Sequence, residues 1–231
     1  MCEVQNYVYT LSDEGVWCNL YGGSELDTEW VGNHIQLLQE TDYPWDGAVS
    51  ITLKEVPEKK SLSLFLRVPE WCTKATLAVN DVPVTTDLKA GTYAEIKRIW
   101  KKGDRVAFVM GMEPVLLESH PLVEETRNQV AVKRGPVVYC LESMDVEAGK
   151  RIDDILIPAD IKFSPVKTEI AGSRVTVLDG IAHSVDSDSW EGKLYRKVAE
   201  NGDRIPIRLI PYYAWGNRGE SEMTVWMLLE R

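Results

Sequence analysis

The sequence has 231 residues, 44% hydrophobic and 27% charged, which is typical of a folded globular protein with one large or two modest domains. Its 36 acidic and 26 basic residues give a net charge of −10, which repels phosphate backbones and anionic lipids and so argues against nucleic acid and membrane surfaces as partners. No apolar run approaches the ~20 residues that a membrane-spanning helix needs.

Strand patterns dominate the first half of the chain. Residues 61–69 alternate leucine with mostly polar neighbours, the period of two that indicates a strand with one buried face. Residues 76–84 predict two short strands around an Asn-Asp turn, since both residues tolerate the left-handed backbone of a tight hairpin. Residues 93–100 and 105–110 predict a further hairpin, with Gly103 supplying its turn.

The second half has the same character. Turn signals recur about every 8–12 residues, the spacing of β-sandwiches. Helix evidence is weak and confined to residues 123–130 and 191–200. The predicted strands of this half are residues 129–132, 136–141, 174–178, 205–213 and 223–229.

These patterns predict an all-β protein of two consecutive antiparallel β-sandwich (jelly-roll-like) domains. Pro114 and Pro121 bracket a segment with a complete set of strands on each side. The predicted domains are therefore residues 1–115 and 116–231, each of the usual size of one sandwich.

Six motifs are more specific than a β-fold requires. In chain order they are YVYT with VWCNLY (residues 7–10 and 16–21), QETDYPWDG (39–47), LRVPEWC (66–72), RIWKKGD (98–104), VKRGPVVYCLE (132–142) and PYYAWGNRG (211–219). Together they resemble glycoside hydrolase family 127, whose characterised members are β-L-arabinofuranosidases. The resemblance covers nearly the whole chain, but only the C-terminal part of such enzymes.

The resemblance implies that the active site lies in a domain outside the region that this chain resembles. In the family, an N-terminal (α/α)6 barrel holds the active site and precedes two β-sandwich domains. Its catalysis uses a glutamate and zinc-bound cysteines, one of them the nucleophile, upstream of the stretch that resembles residues 7–9. Cys2 has no adjacent Cys or Pro, so the nucleophile is not assigned to it. No catalytic residue, cofactor or metal site is therefore expected here, and zinc is implied only for the missing catalytic domain.

The expected role is thus non-catalytic: support of the missing barrel domain, completion of its pocket rim, or dimerisation. The resemblance leaves a homodimer and an arabinose-containing glycan open as further partners. An alternative is a free-standing carbohydrate-binding module that uses exposed Trp and Tyr, because 8 Trp and 9 Tyr against 3 Phe favour rings with a polar edge. The cellular compartment stays open.

The carboxylate-rich segment 40–47 is the first candidate site. Two carboxyls roughly 5–10 Å apart can act on a glycosidic bond, so Asp42 and Asp46 suggest a third, weaker hypothesis, a self-sufficient hydrolase. Proline and glycine in the segment favour a tight turn instead, with Asp46 bonded to the turn backbone. Tyr43 and Trp45 complete the set of sugar-contact or interface candidates in this segment.

The second candidate is the segment 212–219. Its rings suit stacking on sugar C–H surfaces, and its amide and guanidinium suit hydroxyls. We favour an element that faces another domain, with the guanidinium binding a carboxylate or carbonyls across an interface. The candidate residues are Tyr212, Tyr213, Trp215, Asn217 and Arg218.

The remaining signals favour structural roles. Cys2, Cys18, Cys72 and Cys140 are far apart and predict buried or free thiols. Residues 186–191 place oxygen ligands at alternate positions, as calcium loops do, but they lack the glycine of an EF-hand and favour a solvated loop. The three histidines are scattered without metal-ligand spacing.

Overall fold

The structure is a computed structural model that describes residues 3–185, 192, 194–197 and 202–230. Within these residues it is all-β, with short 3-10 turns and no α-helix. No helix in this described part is long and apolar enough to span a bilayer. The chain divides into two compact units, Met1–Met112 and Glu113–Arg231.

Unit 1 contains two sheets. The first has the order β1-β2-β6-β9, with β2 and β6 parallel, and the second has the order β3-β4-β5-β10-β7-β8. The strands are β1 (Tyr9–Leu11), β2 (Gly15–Cys18), β3 (Ser24–Trp30), β4 (Asn33–Thr41), β5 (Ala48–Glu55), β6 (Ser61–Val68), β7 (Ala75–Val79), β8 (Val82–Pro83), β9 (Thr92–Ile99) and β10 (Arg105–Met110).

A single hydrophobic core joins the two sheets of unit 1. Strand β6 contributes Leu62, Leu64 and Leu66, the alternating leucines that the sequence indicated. The second sheet contributes inward side chains such as Ile51 and Phe108 to the same cluster. The period of two therefore identified a true buried face, because successive strand residues point to opposite sides. The expectation of a single buried face is wrong, since Ser63 and Phe65 on the opposite side of β6 are also buried.

The predicted hairpin of residues 93–110 is wrong. β9 pairs with β6 in the first sheet, whereas β10 pairs with β5 and β7 in the second, so the turn between them crosses from one sheet to the other. Asp104 closes this turn by accepting hydrogen bonds from the Lys101 backbone N–H (2.9 Å) and the Asn80 amide (2.8 Å). The Asn80–Asp81 hairpin turn itself is confirmed, with both residues at positive φ.

Unit 2 is built on one sheet that closes on itself. Hydrogen bonds run from β12 through β19, β14, β16, β17 and β13 back to β12. The strands are β11 (Pro114–Leu117), β12 (Gln129–Arg134), β13 (Val137–Glu142), β14 (Ile155–Pro158), β15 (Ser164–Ile170), β16 (Ser173–Ser184), β17 (Arg204–Pro211), β18 (Met223–Thr224) and β19 (Met227–Glu230).

The central strands of unit 2 are buried on both faces. Leu178 and Leu209 belong to one core cluster, while their neighbours Val177 and Ile210 belong to another on the opposite face. The second cluster also includes Ala214, so the segment after β17 packs on the outer face of the ring.

Two further sequence predictions differ from the structure. The segment 223–229 is two strands rather than one, because β18 pairs with β13 while β19 pairs with β12 and β14. The helical signal at 123–130 gives only the 3-10 turn Glu124–Thr126. The helical signal at 191–200 and the calcium-loop candidate at 186–191 lie outside the described residues, apart from residues 192 and 194–197.

Candidate functional site

The segment 212–219, which we call the aromatic knuckle, presents three rings to solvent. Residues Tyr212–Ala214 form a 3-10 turn directly after β17. The exposed fractions are 46% for Tyr212, 53% for Tyr213 and 42% for Trp215, in contrast to the buried Ala214 between them. The knuckle therefore offers an aromatic surface on the outside of unit 2.

A buried carboxylate holds the knuckle in place. Glu142, at the end of β13, is fully buried and accepts hydrogen bonds from the Gly216 backbone N–H (2.8 Å) and the Ser221 hydroxyl (2.9 Å). Arg218 donates to the same carboxylate and also to Asp145. Burial alone would raise the pKa of Glu142, but these donors together hold its pKa below the ordinary value.

The amide and guanidinium of the knuckle are therefore used within unit 2. Arg218 binds Glu142 and Asp145, and hydrogen bonding to these two carboxylates raises its pKa. Asn217 donates to the backbone carbonyls of Ala214 (3.2 Å) and Trp215 (3.3 Å). In the structure, the three rings are the part of the knuckle directed outward, and the two polar side chains fix their support.

The segment 40–47, which we call the carboxylate loop, is a tight turn between β4 and β5. The carbonyl of Asp42 accepts from the backbone N–H groups of Trp45 (2.9 Å) and Asp46 (3.2 Å). Asp46 in turn accepts from the Ala48 backbone N–H at 2.9 Å, as the turn pattern predicted. Asp42 and Asp46 line one open depression of about 600 Å³, together with Glu40 and Arg105.

The inner side of the carboxylate loop packs on the core. Tyr43 lies against Tyr21 and Trp71, with ring centroids 6.0 and 6.4 Å apart. Gly47 is buried against β10, where a Cβ atom would lie 2.0 Å from the carbonyl oxygen of Met110. Backbone contact thus requires glycine here, and the loop's shape is set by packing as well as by its turn residues.

The cysteines of the described residues do not form a reactive site. Cys18, Cys72 and Cys140 are buried free thiols, as the sequence predicted. Burial raises the pKa of Cys18 and of Cys140 to about 12, and it also raises that of Cys72. In the part of the chain that the structure describes, no three His, Cys, Asp or Glu side chains form a group that could hold a metal ion. The three described cysteines therefore do not fit a zinc-thiolate centre.

Sequence reasoning missed two charged clusters. Glu142 ends an apolar strand, but its partner Arg218 is 76 residues away, so no local pattern links them. His183, expected to be an isolated surface or turn residue, bonds through Nδ1 to Glu230 at 2.5 Å and is mostly buried. Both clusters lie in unit 2 and are formed by residues that are distant in sequence.

Comparison with known proteins identifies both units. Residues 15–112 match the family model described as "Beta-L-arabinofuranosidase, GH127 middle domain", and residues 114–228 match "Glycoside hydrolase family 127 C-terminal domain". A curated relative, the non-reducing end β-L-arabinofuranosidase of Bifidobacterium longum subsp. longum, is 28% identical over 98% of this chain. This chain covers 35% of that protein.

Two solved structures are similar throughout. One, described as a glycoside hydrolase, is 60% identical with a TM-score of 0.92, and the match covers 99% of this chain and 38% of that one. The other, a GH127 β-L-arabinofuranosidase from Geobacillus stearothermophilus T6, is 36% identical with a TM-score of 0.89 over 98% of this chain and 35% of that one. The chain thus spans little more than a third of the length of these relatives.

Proposed function

Since this chain belongs to glycoside hydrolase family 127, we propose that it is the non-catalytic β-region that supports the catalytic part of a β-L-arabinofuranosidase-like enzyme. The observation that carries the proposal is coverage: residues 15–112 and 114–228 match the middle and C-terminal domains of the family, and the chain covers only 35–38% of its relatives. The partner is then the (α/α)6 barrel that the resemblance implies.

The chemistry of the described thiols supports a non-catalytic role. A cysteine nucleophile acts as a thiolate, and catalytic cysteines therefore have lowered pKa values. Burial shifts Cys18, Cys72 and Cys140 in the opposite direction. We propose that the glutamate, the zinc and the reactive thiolate belong to the catalytic part.

We also propose that both units are jelly-roll-like sandwiches. In unit 1, the shared core of the two sheets supports this architecture. In unit 2, the closed ring would be flattened into two facing layers around the larger of its two core clusters.

The aromatic knuckle is the surface that we assign to the contact with the barrel. Three exposed rings on a loop already fixed by Glu142 can bind a partner with little loss of conformational freedom. A homodimer would use the same kind of surface, and sedimentation of the isolated chain measures that association. The outer side of the carboxylate loop is a second contact that we propose, at the rim of the substrate pocket.

A chimeric enzyme tests the supporting role. In the 36% identical GH127 β-L-arabinofuranosidase from Geobacillus stearothermophilus T6, the region that this chain matches is replaced by this chain. We expect the chimera to hydrolyse an aryl β-L-arabinofuranoside at a rate within about tenfold of the parent enzyme. A folded chimera without activity would contradict the proposal.

The substitution Trp215→Ala locates the contact. In the isolated chain it removes an exposed ring and should leave the Tm nearly unchanged, whereas in the chimera it should lower the Tm by several degrees. Tyr195→Ala, at a more exposed ring of the same unit, is the matched control and should have no effect in either context. If Trp215→Ala changed the Tm equally in the isolated chain and in the chimera, the knuckle would not be part of the interface.

The second candidate function is carbohydrate binding by the isolated chain through the same rings. The exposure of Tyr212, Tyr213 and Trp215 favours it, because sugar platforms must be accessible to solvent. Titration with arabino-oligosaccharides, followed by tryptophan fluorescence, distinguishes it from the supporting role. Saturable binding that Trp215→Ala abolishes would make carbohydrate binding the leading function.

A further inference from the structure

The outer faces of β16 and β17 carry a concave surface that is separate from the knuckle rings and from the carboxylate loop. Alternate residues of these strands point into the core, as Leu178 and Ala182 do, so their neighbours point outward. The outward residues lie opposite each other across the two strands. In order they are Asp179 with Arg208, Ile181 with Pro206, and His183 with Arg204.

This surface is a continuous groove. Two open depressions of about 710 and 430 Å³ share Lys162 and Ile181, so they join end to end. Residues 144–147 line the end near Asp179, and Pro158 lines the end near His183. The four residue steps from 179 to 183 span about 13 Å, which is the length of a short oligosaccharide.

The polar side chains at both ends of the groove are fixed. Arg208 donates two hydrogen bonds to the carboxylate of Asp179, at 2.7 and 2.8 Å. At the other end, His183 is bonded to Glu230. The wall at Asp145 is held by Arg218 of the knuckle. A ligand would therefore meet oriented donors and acceptors, and the cost of ordering these side chains would be small.

The centre of the groove is apolar and its charges are mixed. Ile181 is 43% exposed and lies beside Pro206 on the floor, while Met144 lines the wall. Cations such as Lys162 and Arg204 alternate with carboxylates such as Asp160, so no net charge selects an ionic ligand. A sugar chain combines apolar C–H faces with hydroxyl edges, and it matches an apolar floor between oriented polar groups.

We propose that this groove binds a short, neutral, arabinose-containing oligosaccharide, with its C–H faces on Ile181 and Pro206 and its hydroxyls on the Asp179–Arg208 pair and on His183. The choice of arabinose rests on the proposed function, since relatives of this chain are β-L-arabinofuranosidases. The groove would hold part of a longer substrate away from the reacting bond.

The test is an NMR titration of the ¹⁵N-labelled chain with linear arabinotriose up to about 10 mM, a range that reaches dissociation constants of ~1 mM. We expect saturable shifts of the backbone amides of residues 179–183 and 144–147 and of the non-proline residues among 204–208. Absence of saturable shifts, or shifts confined to the knuckle that Trp215→Ala removes, would overturn the proposal. Activity of the chimera is a separate measurement, so failure here is distinguishable from failure of the supporting role.

Matched substitutions examine the groove itself. Ile181→Asp places a charge on the apolar floor and should weaken binding at least tenfold. Val166→Asp makes the same change at an exposed position of neighbouring β15 outside the groove and should not alter the affinity. If Ile181→Asp does not fold, Lys162→Ala at an exposed wall position should weaken binding several-fold. Equal effects inside and outside the groove would contradict the assignment.

Discussion

At the residue scale, Glu142 shows how one buried carboxylate can organise an exposed loop. It is fully buried and satisfied by Gly216, Arg218 and Ser221. We expect Glu142→Gln to destabilise unit 2 by about 3 kcal/mol at pH 7, because it removes a buried charge from a paired network. Chemical denaturation measures this, and Ser221→Ala, which removes one neutral donor, should cost only about 1 kcal/mol.

The same carboxylate predicts a pH dependence. Because the pKa of Glu142 is lowered in the folded state, its contribution is complete above the unfolded value of about 4.3 and is lost as the pH falls toward the folded value. The stability difference between wild type and Glu142→Gln should therefore be constant near pH 7 and shrink below about pH 4. A difference that grows on acidification would show that the carboxylate is not stabilised by its donors.

Trp100 is a large, fully buried side chain in the hydrophobic core of unit 1. Its side chain is 1% exposed, and its indole N–H donates to the Leu62 carbonyl at 2.8 Å. We expect Trp100→Ala to cost about 3–5 kcal/mol, since it leaves a large cavity and an unpaired carbonyl. The exposed Trp215→Ala is the control and should change the free energy of unfolding by less than about 0.5 kcal/mol.

Trp71 and Trp100 each end a predicted strand of the first half, a position that predicts a mostly buried ring. The prediction is confirmed for Trp100, whereas Trp71 is half-buried and packs on Tyr43 of the carboxylate loop. The exposed fraction of a ring depends on which loop covers it, and local sequence carries no information about that neighbour. For the same reason, Arg218 was expected to bind across an interface, whereas its carboxylate partners lie within unit 2.

At the scale of elements, Gly47 couples the carboxylate loop to β10. The Gly47 carbonyl accepts from the Met110 backbone N–H at 2.9 Å, and a Cβ atom would meet the Met110 carbonyl oxygen. We expect Gly47→Ala to cost about 2–4 kcal/mol, since backbone atoms rather than a flexible side chain must move. Gly32→Ala is a comparison in a turn with open space around the Cβ position, and it should cost about 1 kcal/mol from its positive φ alone. Equal losses of stability from Gly47→Ala and Gly32→Ala would show that the contact with the Met110 carbonyl oxygen adds nothing to the cost at Gly47.

Strand positions were predictable because the period of two is local. Strand partners were harder to predict, as the segment 93–110 demonstrates. A glycine turn between two alternating runs has the same sequence pattern whether the second strand pairs with the first or crosses to another sheet. The difference lies in non-local pairing of β9 with β6 and of β10 with β5. Closure of the unit 2 sheet is non-local in the same way. β12 and β13 form a local hairpin, but the ring closes only when β19 pairs with β12.

At the scale of the whole molecule, we expect no hydrolysis of aryl or natural β-L-arabinofuranosides by the isolated chain. The described thiols are buried with raised pKa values, and the described residues form no three-ligand metal group. Release of a chromogenic aglycone measures activity, and metal analysis of the purified chain should find no stoichiometric zinc. Turnover that Asp42→Asn or Asp46→Asn abolishes would instead support the self-sufficient hydrolase.

The position of β19 affects how the chain folds while it is being synthesised. Residues 227–230 lie between β12 and β14 inside the ring, although β12 is made about a hundred residues earlier. Unit 1 can complete both sheets once residue 112 has left the ribosome. In unit 2, residues 131–134 of β12 can pair early with β11, but Gln129 and Val130 must wait roughly 5–20 s for β19 at ordinary elongation rates. An unpaired edge in a nascent chain is prone to pair with other chains. Newly made unit 2 should therefore depend on chaperones during translation more than unit 1 does.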